Sequence, residues 1–124
     1  MGTQQDHVLH PPKDQTLRKQ LEAKLKEYQK RKRGVGKVWE FIHPELAHRL
    51  YPAYRDACYK EDVLSAILEA EKPLDTWQLF IQLAKKYDNF NVDQFCNACA
   101  VVAHYLGEHP GPVVSGTGLP APSG

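Results

Sequence analysis

The sequence predicts an all-α fold: a small bundle of four to five helices over residues 37–107, preceded by a long basic amphipathic helix at 14–33. Three observations carry that expectation. Helix-forming residues run unbroken from Thr16 to Arg33. Further along, apolar residues recur at three- and four-residue spacing between prolines, glycines and capping side chains. No segment shows the period-two alternation of a convincing strand.

Residues 1–13 are polar, carry His7 and His10, and read as a disordered lead. Asp14 is placed to cap the first helix. Leu17, Leu21, Leu25 and Tyr28 fall at i, i+4, i+8 and i+11 and draw one narrow apolar stripe on it. Gly34-Val35-Gly36 is expected to stop it, with Lys30 to Arg33 at its negative end. The aromatic-dense KVWEFI at 37–42 extends into a short helix. His43-Pro44 marks a break, and Pro52 divides or kinks the segment that follows. Glu61 to Glu71, with an acidic first turn, reads as a separate helix ended by Pro73. Asp75 or Thr76 caps a helix from Trp77 to about Tyr87, with Leu79, Phe80 and Leu83 facing inward. Asn91 caps the last helix, Val92 to about Leu106, and Gly107 stops it. Residues 108–124 form a Pro/Gly-rich tail that cannot bury enough surface to offset its ordering entropy. The tail is expected to be disordered or to lie extended on a partner.

The chain has 124 residues, 42% hydrophobic and 25% charged, which fits one small domain plus tails. A net charge of +1 makes the whole chain no electrostatic magnet for nucleic acid. The charge is divided, however: residues 1–36 hold nine Lys/Arg against four Asp/Glu, and residues 37–108 hold seven against eleven. A basic arm therefore precedes an acidic body, which is a hint about partners. Three cysteines are an odd, sparse set and point to an intracellular, reducing compartment. No run reaches the length of a transmembrane segment, and the N-terminus lacks a signal-peptide core. Met1-Gly2 looks like a myristoylation start, but Asp6 stands where Ser or Thr is needed.

Cys96-Asn97-Ala98-Cys99 is the motif most suggestive of chemistry. A zinc site needs four converging ligands, and here the pair sits mid-helix with His104 on another face. A thioredoxin-like thiol needs a helix N-terminus after a strand. Both contexts are missing, so packing is the favoured reading, with no metal and no cofactor expected. The last helix is apolar around most of its girth. One stripe holds Val92, Phe95, Cys96, Cys99, Ala103 and Leu106, and a second holds Ala98, Val101, Val102 and Tyr105. Such a helix is buried on two sides or keeps one face for a partner.

The run Lys30-Arg31-Lys32-Arg33, with Lys37 beyond, reads either as a solvated helix end or as phosphate contact, RNA being favoured over sequence-specific DNA. Gly34-Val35-Gly36-Lys37 lacks the strand, spacing and Ser/Thr of a phosphate loop. None of the six histidines pairs with a nucleophile or a metal-ligand partner at readable spacing. Surface or satisfied-core positions are expected for them.

Residues 67–106, ILEAEKPLDTWQLFIQLAKKYDNFNVDQFCNACAVVAHYL, resemble one helical-hairpin unit of organellar RNA-processing proteins of the FASTK and octotricopeptide type. The likeness rests on a helix ending near Ala70, a second with Trp77, Leu79 and Leu83, a DNFN turn, and a helix rich in small apolar residues. It covers about a third of the chain and a single unit, whereas solenoids need several. It implies an α-hairpin stacked on others, beside RNA, in mitochondria or plastids.

The expected role is therefore non-enzymatic: a structural or adaptor subunit docked among protein partners in a multisubunit assembly. Leu17, Leu21, Leu25 and Tyr28, with Ala98, Val101, Val102 and Tyr105, are the expected docking residues. RNA binding through Lys30, Arg31, Lys32, Arg33 and Lys37 is the alternative, and a metal or redox role for the cysteines a distant third.

Overall fold

The computed structural model describes residues 8–36 and 44–107. Their order is β1 (Val8–Leu9), α1 (Gln15–Gly36), α2 (Pro44–Leu50), α3 (Pro52–Glu69), β2 (Leu74–Asp75), α4 (Thr76–Lys86) and α5 (Val92–Tyr105). The protein is an all-α bundle of five helices among the described residues. Expectations at 1–7, 37–43 and 108–124, including Lys37, lie outside them.

The caps are local chemistry and sit where the sequence puts them. Asp14 Oδ1 accepts from the Leu17 amide at 2.8 Å, Asp75 Oδ1 from Trp77 at 2.9 Å, and Asn91 Oδ1 from Gln94 at 2.9 Å. Gly107 ends α5 with φ of 79°, a left-handed conformation that a side chain would disfavour.

Four expectations are corrected. Val8–Leu9, in the supposed lead, pairs antiparallel with Leu74–Asp75, and Leu9 is buried. A two-residue strand carries too little alternation to be seen in sequence. Helix α1 runs through Gly34 to Gly36, since one glycine costs only about 1 kcal/mol against alanine. Residues 61–69 are not a separate helix; α3 is continuous from Pro52 to Glu69. Finally, α1 is part of the bundle rather than an arm ahead of it.

Helix α3 is the hub, with α1, α2 and α5 all packed on it. Its Tyr59, Val63, Leu64 and Ile67 are fully buried. From α1 come Leu21 and Tyr28, and from α5 come Phe95, Ala98 and Val102. Polar links join the layers. Arg18 of α1 donates to the Leu68 carbonyl at the end of α3, 3.0 Å away, where a cation suits the helix dipole. Lys32 bonds Glu61 at 2.6 Å, and the hydroxyls of Tyr28 and Tyr105 lie 2.8 Å apart.

Candidate functional site

The docking residues expected from sequence are mostly used inside the chain. Leu21 is 0% and Tyr28 3% exposed, and Leu25 packs against the same core; Leu17 is half-buried. On α5, Ala98 and Val102 are 0% exposed, Tyr105 is held by Tyr28, and Val101 is half-buried. The physical reason is simple. An apolar stripe demands a cover, and α3 supplies it for both helices. Burial on α5 also falls across the two expected stripes: Val92 and Cys96 are exposed.

Among the described residues, the large apolar side chains left to solvent are Leu46 and Leu50 on α2, Trp77 on α4 and Val92 on α5. Trp77, 57% exposed, is the largest of them. It is the open end of a ladder of rings. Its indole meets Phe80 edge-on at 5.0 Å, Phe80 stacks on Phe90 at 5.4 Å, and both reach buried Phe95. Phe90 continues to Tyr59, and Tyr59 to Tyr87 and His48, each about 5 Å away ring to ring. These ring contacts tie the exposed indole to the buried core.

At the far end of the ladder, His48 is buried and stacks flat on Tyr87 at 4.2 Å. Its Nε2 has no hydrogen-bond partner among the described residues. Burial first, then the Arg55 guanidinium, pulls its pKa down to about 4. It is thus a neutral core ring and not a satisfied one. Arg55 donates to the carbonyls of His48 and Arg49 and to Gln94 Oε1, and Gln94 Nε2 bonds the Pro52 carbonyl. This clamp ties α2 and the start of α3 to α5. Nothing in the sequence marks Arg55 or Gln94, because their partners are carbonyls or lie 39 residues away. Asp62 accepts from Tyr87 Oη at 2.5 Å and from Lys86 at 3.1 Å, and burial pushes the Tyr87 hydroxyl far up.

Of the basic run, Lys30, Arg31 and Arg33 are exposed, Arg31 lying over the Tyr28 ring at 5.0 Å. Lys32 is taken by Glu61, so it is not free for phosphate.

The CxxC pair is split. Cys96 is exposed, whereas burial, with the neighbouring Cys96 second, lifts the Cys99 thiol to about 12. Cys58 is buried and raised to about 11. No group of three or more His, Cys, Asp or Glu able to hold a metal occurs among the described residues. Iodoacetamide alkylates thiolates, a form that burial disfavours at Cys99 and Cys58, so exposed Cys96 is expected to be modified first at mild alkaline pH. Peptide mass spectrometry checks this; equal labelling of Cys99 would contradict the burial assigned to it.

The geometry defines an all-α bundle with a hub helix, a ring ladder and a basic flank. No helix among the described residues is long and apolar enough to cross a membrane. No family model, no curated protein and no solved structure matches the chain.

Proposed function

We propose that the chain is a non-enzymatic structural or adaptor subunit that docks into a larger protein assembly through Trp77 and the rings behind it. The observation that carries this reading is the indole left 57% exposed on aromatic rings that pack into the core. Tryptophan in such a setting is the usual anchor of a protein interface, where truncation costs about 2 kcal/mol or more. The former docking stripes are occupied by α3, so the docking surface moves to α4. An organellar assembly is the setting proposed, and what supports it is the likeness of residues 67–106 to organellar repeat proteins.

Trp77→Ala is expected to change stability by under about 1 kcal/mol, because most of the ring is in water. Partners co-purified with the wild-type chain from its native cells, and resistant to ribonuclease, are expected to be lost. Their full retention by a folded Trp77→Ala variant would contradict this docking surface.

A second reading, RNA contact through the end of α1, is favoured by one observation: Lys30, Arg31 and Arg33 all stand in solvent. It predicts partners that disappear on ribonuclease treatment.

A further inference from the structure

Deepening that second reading, we infer that the solvent face of α1 is a cationic rail that lies along the phosphate backbone of double-helical nucleic acid. Its residues are Lys19, Lys26, Lys30 and Arg33, all exposed. At about 100° per residue they fall within roughly 60° of one another, opposite buried Leu21 and Tyr28. They span roughly 21 Å of helix axis. None of the four has an ion-pair partner among the described residues; the α1 lysines that do, Lys24 and Lys32, lie off this line.

Complementing the helix dipole explains only the last turn, since that effect fades within a turn. Arg33 falls under it; Lys19 and Lys26 stand too far upstream. A membrane surface is a poor fit, because the apolar face of α1 is covered by α3 and cannot insert. Single strands are held on aromatic platforms, and the aromatic of α1, Tyr28, is buried. A duplex stacks its base faces inward and lines its outer edge with phosphates, which is what a row of cations without aromatics can contact. Glu22, exposed beside the first half of the rail, opposes it there.

Titrating a fluorescein-labelled RNA duplex of about 20 base pairs with the full chain, between about 50 and 200 mM salt, tests the rail. Four contacts give a slope of log K against log salt of about −3.6. Lys19→Gln with Lys26→Gln is expected to bring it to about −1.8 and to weaken binding at least about fivefold at low salt. Glu22→Gln is expected to tighten binding, and Lys72→Gln with Lys85→Gln to leave it within about twofold. A DNA duplex is expected to bind comparably. Circular dichroism establishes that each variant keeps its helices.

Unchanged affinity in a folded Lys19→Gln/Lys26→Gln variant overturns the rail. If Lys30→Gln with Arg33→Gln then abolishes binding, contact at the helix end survives without it. Tighter binding of a single strand, or of vesicles of anionic lipid, overturns the duplex as occupant. Absence of any binding overturns the rail and the RNA reading together.

Discussion

Tyr59→Ala is expected to lower the unfolding free energy by about 4 kcal/mol, a large share of the stability of a small domain. The ring is 0% exposed on the hub helix and touches His48, Tyr87 and Phe90. Its hydroxyl also accepts the amide of Asn91 at 2.8 Å, which fixes the capping residue of α5. Removing the side chain opens a cavity where α2, α3 and the turn before α5 meet. Tyr59→Phe separates the contributions: the rings stay packed, but the Asn91 N–H loses its acceptor, at about 1 to 2 kcal/mol. Urea denaturation at neutral pH checks both. A loss under about 1 kcal/mol for Tyr59→Ala would mean the ring cluster is not the core.

Acid is expected to weaken the fold through His48. The folded ring titrates at about 4 against an ordinary 6.5, so its pKa is depressed. Above 6.5 both folded and unfolded chains carry it neutral, and its contribution is fully present. As pH falls from 6.5 towards 4, the unfolded chain takes a proton that the folded one refuses, and stability drops. The loss amounts to about 3 kcal/mol and levels off once the folded ring protonates as well. His48→Phe keeps a ring against Tyr87 and removes a buried nitrogen without a partner, so it should be neutral or slightly stabilising at pH 7. It should also flatten this step between pH 6.5 and 4. Parallel pH profiles for wild type and His48→Phe would contradict the assignment.

What was legible in the sequence was local. Asp14, Asp75, Asn91 and Gly107 announce helix ends by chemistry within three residues, and each is found at work. What covers a stripe is not local. Leu21 and Tyr28 carry the same pattern whether α3 or a foreign subunit lies on them. Ala98 and Val102 are no different. Glu61 and Asp62 misled for a related reason: they look like an acidic first turn, yet they stand mid-helix as acceptors for Lys32, Lys86 and Tyr87 from other elements. His48 and Arg55 gave no signal, because a buried ring and a carbonyl clamp exist only once α2 folds back on α3. The exposure of Trp77 is not legible either, because a tryptophan at helical spacing carries the same pattern whether buried or exposed.

Helix α1 belongs to the bundle, which is why the interaction surface must be sought on α4 and on the outer face of α1. Native-state hydrogen exchange measures this directly. Amides of α1 around Leu21 and Tyr28 are expected to open with nearly the same free energy as the slowest amides of α3, within about 1 kcal/mol. Exchange of α1 at the rate of an isolated helix, while α3 and α5 stay protected, would show that its stripe is free for a partner and would contradict the account.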